Sequence, residues 1–209
     1  EEDEKYIYTI TGGSSEDIAS NELTGSTIIN SDGETTFSFG ITADLLTEGE
    51  EIFTISIGEK IPSLSLRTMT EEGPQSISTE EIFSGKKVVL FAVPGAFTPT
   101  CSIQHLPGFV TSASEIKSKG ADTVACISVN DPFVMDAWAK ERGVNDELLM
   151  LSDGNCEFTS AIGLEMDGSG FGLGKRSQRY AMIVDDGVVS VLNVESGPQL
   201  EVSSAESIL

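Results

Sequence analysis

The sequence predicts an α/β fold over residues 58–209, preceded by a small all-β segment at 1–57, and three observations carry that reading. A continuous apolar run, VVLFAV at 88–93, has the composition of a strand covered on both faces. Two cap-plus-proline pairs, Thr98-Pro99 and Asp131-Pro132, each follow an apolar run and open a helical pattern. Before residue 58 the apolar residues alternate with period two, and no helical spacing occurs.

The first segment reads as short strands separated by Ser, Gly, Asp and Asn turns. Tyr6, Tyr8 and Ile10 alternate, as do Phe37, Phe39 and Ile41, and then Phe53, Ile55 and Ile57. Asp32-Gly33 is a turn dipeptide between Ile28-Ile29 and the Phe37 strand. So short a β segment buries too little surface to be secure alone, so it is expected to pack on the second domain or to form part of a larger sandwich.

In the second segment, Thr98 should cap a helix with Pro99 at its first position. Val110, Ala113 and Ile116 continue the spacing, Gly120 stops it, and Pro107 should kink or restart it. TVACISV at 123–129 is a second buried strand. Asp131-Pro132 then starts a helix whose buried face is expected at Phe133, Val134, Ala137 and Trp138, ending at Gly143. ELLMLS at 147–152 is a third strand and 156–162 a short helix. Residues 179–184 and 188–194 form a hairpin across Asp186-Gly187, and Ser203-x-x-Glu206 is a capping box for a final helix. The order β-α-β-α-β-α-β-β-α is that of a thioredoxin-like sheet, with parallel strands followed by an antiparallel hairpin.

The chain has 209 residues, with 34 Asp+Glu against 12 Lys+Arg and a net charge of −22. Residues 1–57 carry 13 of those acids and a single base, Lys5. Acidity of this order excludes nucleic acid, whose phosphates need clustered Lys and Arg, and an anionic membrane surface. No apolar run approaches the ~20 residues of a membrane span. The acidic start, EEDEKYIYTI, lacks the basic-then-apolar pattern of a secretory leader, so a cytoplasmic protein is expected. Three cysteines, Cys101, Cys126 and Cys156, with one histidine, His105, and no C-x-x-C pair fit neither a disulfide scaffold nor structural zinc.

Cys101 falls in the first turn of the helix opened by Thr98-Pro99. Unpaired amides and the positive end of the helix dipole there favour thiolate over thiol. It also follows a buried strand, at the sheet edge where α/β folds place their chemistry. By position alone, a small buried hydrophobe is an equal reading.

The neighbouring residues separate the two readings. PGAFTPTC at 94–101 matches the pattern P-x-x-x-T-x-x-C. The longer KKVVLFAVPGAFTPTCSIQHLPGFV resembles the type II, atypical two-cysteine peroxiredoxins, as do CISVNDPFVMDAWAK, RSQRYAMIVDDGVVSVLNVE and SSAESIL. The resemblance spans residues 58–209. It implies a thiol peroxidase of thioredoxin-like fold without a prosthetic group. Cys101 would attack a hydroperoxide and become a sulfenic acid. Thr98 would hydrogen-bond the sulfur and the peroxide, Pro94 would shield the cysteine, and Arg179 would stabilise the thiolate and orient the peroxide oxygens.

The resemblance also implies a homodimer, and regeneration by glutathione with glutaredoxin or by thioredoxin. In related members a cysteine at the place of Cys126 is proposed to resolve the sulfenic acid as an intramolecular disulfide. Direct attack by glutathione and a purely packing role for Cys126 remain open beside it. Cys156 has no implied role. His105 is read as structural and Arg176 as a surface charge. The same chemistry at Cys101 would also serve a redox relay.

Residues 9–58 resemble Calx-β-like repeats of bacterial surface proteins, whose acidic loops can bind calcium. Asp44, Glu48, Glu50 and Glu51 are the candidates, against the simpler reading of a solvated acidic face. A calcium- or surface-binding β-module carrying a redox domain is the corresponding alternative function.

Overall fold

The computed structural model describes residues 5–11, 24–28 and 54–57 by their backbone pairing, and residues 60–144 and 146–209 in full. The chain divides into two compact units, Glu1–Lys60 and Ile61–Leu209. In the first, β1 (Lys5–Thr11) pairs antiparallel with both β2 (Thr24–Ile28) and β3 (Thr54–Ile57). The expected strand at Phe37, Phe39 and Ile41, the Asp32-Gly33 turn and the calcium candidates Asp44, Glu48, Glu50 and Glu51 lie outside the described residues. No helix among the described residues is long and apolar enough to cross a membrane.

The second unit opens with a hairpin of β4 (Ser65–Thr70) and β5 (Gly73–Ser78), followed by α1 (Thr79–Phe83). Then come β6 (Lys87–Val93), a π-turn (Cys101–His105) and α2 (Leu106–Ser118). β7 (Thr123–Ser128), α3 (Pro132–Arg142), β8 (Leu148–Ser152) and α4 (Glu157–Ala161) continue the alternation. A small ribbon of β9 (Glu165–Asp167) and β10 (Lys175–Ser177) precedes the hairpin β11 (Tyr180–Asp185) and β12 (Val188–Val194), and α5 (Ala205–Ile208) ends the chain.

Seven of these strands form one mixed sheet in the order β12-β11-β6-β7-β8-β4-β5. β6, β7 and β8 are parallel, with antiparallel β11 and β4 on either side. This is the thioredoxin-like arrangement expected. The β4–β5 hairpin and the β9–β10 ribbon are additions to it. α1 is another, although its capping box is plain in the sequence: Ser78 accepts from the Glu81 amide and Glu81 reaches back to Ser78.

Strand alternation sends side chains to two cores. On one face Val89, Phe91, Val93, Val124, Cys126 and Ala181 pack against α2, α3 and α5. On the other Val88, Leu90, Ala92, Ala125, Ile127, Tyr180 and Met182 pack against α1 and α4. Arg179 lies two residues before Ala181, so the pleat assigns it to the α2 face.

Local chemistry explains most boundaries. Asp131 caps α3 with its carboxylate accepting from the Phe133 and Val134 amides at 2.9 and 3.0 Å. Asp186 and Gly187 both take positive φ, 46° and 80°, as a tight two-residue hairpin turn requires. The buried face of α3 differs from expectation. Met135 and Trp138 are buried and Val134 is half-buried, whereas Phe133 is 64 % exposed and Ala137 is exposed, because these two, four residues apart, lie on the helix face that points outward. The last helix is capped by Ser204, one residue later than expected, because Ser203 is buried and bonded to Glu195 instead.

Candidate active site

β6 ends at Val93, and the loop Pro94-Gly95-Ala96-Phe97 carries the chain over the sheet edge into the helix that begins at Pro99. The Ser102 amide donates to the Thr98 carbonyl at 3.0 Å, so Thr98 does occupy the cap position. Its side chain does something else: Oγ1 donates to the Gly95 carbonyl at 2.8 Å, bracing the loop and turning its lone pairs away from that bond. Phe97 sits at φ 64°, a left-handed conformation that a bulky side chain adopts at a cost.

Cys101 lies in this first turn, fully buried. The kink expected from Pro107 takes the form of a π-turn. Pro107 has no N–H for the Ile103 carbonyl, and the ladder widens so that the Leu106 amide reaches the Cys101 carbonyl, five residues back. The turn places Ser102 under the Trp138 indole, whose Nε1 donates to the Ser102 hydroxyl at 3.0 Å.

Arg179 precedes the Tyr180–Ala92 register pair of β11 and β6, so it stands level with the end of β6, on the face that holds Cys101. It is 6 % exposed, and its Nη1 donates to His105 Nδ1 at 3.1 Å. His105 is one turn beyond Cys101, so the guanidinium is held against the cysteine's own helix. The His105 ring packs on Phe91 and Phe109, at centroid distances of 4.9 and 5.5 Å. Burial, and then the Arg179 charge, push the His105 pKa down to about 4. The other ring nitrogen, Nε2, meets the Ser203 carbonyl at 2.8 Å.

The loop is also held from beneath. Asn130 Oδ1 accepts from the Ala96 amide at 3.0 Å and from the Ser128 hydroxyl at 2.8 Å. Arg176, expected on the surface, is half-buried there. Its Nη1 donates to the Val129 carbonyl at 2.6 Å and its Nε to the Leu173 carbonyl at 2.9 Å. A Cβ on Gly95 would lie 3.8 Å from that same Nη1. The reason is the β9–β10 ribbon, which the sequence reading lacked. It closes tightly at Gly168, where a Cβ would come within 2.9 Å of the Gly174 carbonyl, and this aims Arg176 inward.

Residues 56–209 match the family model described as Redoxin. The chain is 54 % identical over 159 residues to "Peroxiredoxin-2E, chloroplastic" of Arabidopsis thaliana, covering 74 % of this chain and 68 % of that protein. It is 52 % identical over 163 residues to "Peroxiredoxin-2E-2, chloroplastic" of Oryza sativa subsp. japonica, covering 76 % and 72 %. The chain belongs to the peroxiredoxins. Among solved structures, reduced Prx3 of Vibrio vulnificus in complex with hydrogen peroxide is similar at 56 % identity and a TM-score of 0.69, over 72 % of this chain and 94 % of that one.

This peroxiredoxin is therefore a thiol-dependent peroxidase, as the sequence resemblance implies. Both plant relatives are named as chloroplast proteins, which stands against the cytoplasmic placement expected from the sequence.

Cys126 shares the core cluster of Cys101 but sits in the middle of β7, fully buried, registered with Phe91 and Met150. Burial first, and then the nearby Cys101 sulfur, raise its thiol well above the ordinary range. All three cysteines are free. Cys156 lies outside this site, at the start of α4, in contact with the Ser160 hydroxyl. Asn130 and Arg176 are the residues sequence reasoning missed. Asn130 stands in the quoted CISVNDPF string, and Arg176 three residues before Arg179, but neither carries a local signal of the loop it braces.

Proposed function

We propose that Cys101 is the sulfur that reduces the peroxide, with Arg179, Thr98 and Pro94 as its immediate partners. The observation that supports this best is the convergence of Cys101 and Arg179 on one face of the sheet, linked through His105. The Cys101 thiolate attacks the terminal peroxide oxygen, the O–O bond breaks, and the departing oxygen takes a proton to leave as water or an alcohol. Cys101 is left as a sulfenic acid. The Arg179 guanidinium stabilises charge on the sulfur and on the leaving oxygen. The Thr98 oxygen accepts from the incoming peroxide, and Pro94 limits access of solvent. The two-electron chemistry balances at sulfur alone and requires no prosthetic group.

A thiol then attacks the sulfenic acid sulfur, water leaves, and a second thiol releases Cys101 from the mixed disulfide. We assign the first thiol to an external reductant, glutathione with glutaredoxin or thioredoxin. Cys126 is fully buried in the middle of β7 and its thiol is held protonated, which disfavours it as the attacking thiol. Phe97 and Ile103, 47 % and 70 % exposed beside Cys101, form an apolar rim that fits a second copy of the chain, giving a homodimer.

The test is peroxide consumption by the full chain. Cys101→Ser is expected to abolish it, and activity that survives the substitution would overturn the assignment. Mass spectrometry after one equivalent of peroxide tests the reductant. A sulfenic acid confined to Cys101 is expected, and a Cys101–Cys126 disulfide would instead assign resolution to the chain itself. Sedimentation at micromolar concentration tests the dimer.

A further inference from the structure

In a chain with 34 acids against 12 Lys and Arg, a cation readily meets a carboxylate. Lys87, Lys119, Lys140, Arg142 and Lys175 each do so. Arg176 does not. It is half-buried, and among the described residues its side chain bonds only to main-chain carbonyls, those of Val129 and Leu173. Such acceptors fix the guanidinium without cancelling its charge. We propose that Arg176 docks a carboxylate of the thiol that reduces Cys101, so that an anionic thiol of the glutathione class is recognised beside the site. This rests on the proposed reduction of Cys101 by external glutathione.

The loop before Cys101 sets the place. A Cβ on Gly95 would lie 3.3 Å from the Thr98 methyl, 3.8 Å from Arg176 Nη1 and 3.8 Å from Asn130 Oδ1. The guanidinium and the Thr98 side chain therefore flank the same face of Gly95. Nε and Nη1 are committed to the two carbonyls, and Nη2 has no bond among the described residues. The buried side-chain nitrogens and oxygens without a partner there belong to Thr159, Arg179 and Tyr180, so Arg176 Nη2 opens to solvent. The carboxylates of the adjoining segments are engaged elsewhere. Asp131 caps α3, and Asp167 accepts from the Ser169 amide at 2.8 Å.

A chain of net charge −22 repels anions at long range, so an anionic thiol needs a local cation to hold it. Glutathione has two carboxylates, one on either side of its thiol, and one of them can pair with Arg176 and leave the sulfur to face Cys101. A guanidinium already fixed by two bonds loses little freedom on taking up that carboxylate. Salt screens the long-range repulsion and acts less on a half-buried pair. The β9–β10 ribbon, whose turn supplies the Leu173 carbonyl, thereby shapes the choice of reductant.

The test uses the full chain, oxidised with one equivalent of hydrogen peroxide and then mixed with glutathione or with glutathione diethyl ester, which keeps the thiol and masks both carboxylates. Mass spectrometry follows the thiol adduct on Cys101. Each rate is divided by that thiol's rate with a small soluble disulfide, which removes intrinsic reactivity. Long-range repulsion alone favours the ester. Docking is expected to favour glutathione about tenfold in the wild type, and Arg176→Gln to remove that preference. Equal rates, a preference for the ester, or a preference for glutathione that survives in folded Arg176→Gln would overturn the proposal. If the variant does not fold, nitrogen–proton NMR of the wild-type arginine side chains, titrated with unreactive S-methylglutathione, decides the matter. The Arg176 signal is expected to shift, and an unmoved signal defeats the assignment. Failure of the underlying reading looks different: neither thiol forms an adduct on Cys101, and the proposal falls with it.

Discussion

At the scale of single residues, a depressed histidine pKa is also a statement about stability. His105 is neutral in the fold down to about pH 4 but protonates near 6.5 when unfolded. Between those values the unfolded chain binds more protons, so stability falls as pH falls through that window and levels off below it. The whole effect is on the order of 3 kcal/mol. Urea midpoints of wild type and His105→Asn, compared at pH 7 and pH 4, should show the wild type losing more stability than the variant. Arg176→Ala, which removes two bonds to carbonyls, should cost about 2 kcal/mol in the same assay. The proposed site residues Cys101, Thr98, Pro94 and Arg179 are candidates in the sequence because a local motif, a strand start and the family resemblance mark them. The contacts that brace them are not legible there. His105 meets Ser203 across 98 positions and Ala96 meets Asn130 across 34, and no local periodicity records such pairings.

At the scale of elements, the helix starts show which signals a sequence displays. Asp131-Pro132 announced α3, and the carboxylate caps two amides as expected. Asp131→Ala should lower stability by about 1 kcal/mol, read as a shift in the urea midpoint with the slope unchanged. Which face of α3 is buried was not legible, because the helical period is satisfied by more than one set of apolar residues and packing on the sheet decides between them. Ser203-x-x-Glu206 fits a capping box equally well on paper. The structure uses Ser204 because the Glu195 carboxylate claims Ser203. The β9–β10 ribbon was invisible for another reason: its strands are three residues each, too short to show alternation. Gly168→Ala should nonetheless damage the site, since the ribbon must shift to admit a Cβ and Arg176 shifts with it.

For the molecule as a whole, charge separates the two halves of turnover. Hydrogen peroxide is neutral, so its reaction with Cys101 should be nearly indifferent to ionic strength. Glutathione, the reductant proposed above, is an anion that would approach a chain of net charge −22, and screening should speed that step. Stopped-flow rates at low and at roughly 0.3 M salt should therefore rise for the thiol and stay level for the peroxide. The parallel sheet and its helices were legible because each buried strand and each cap carries its own local signature. The order of the strands, with β4 and β5 beyond β8, is set by pairings far apart in the chain. One feature gives the experimenter a convenience. Trp138 is the single tryptophan of the chain, and its indole donates to Ser102, the residue next to the proposed reactive sulfur of Cys101. The protein thus carries its own fluorescent gauge, whose emission should flicker with each oxidation and reduction without any dye attached.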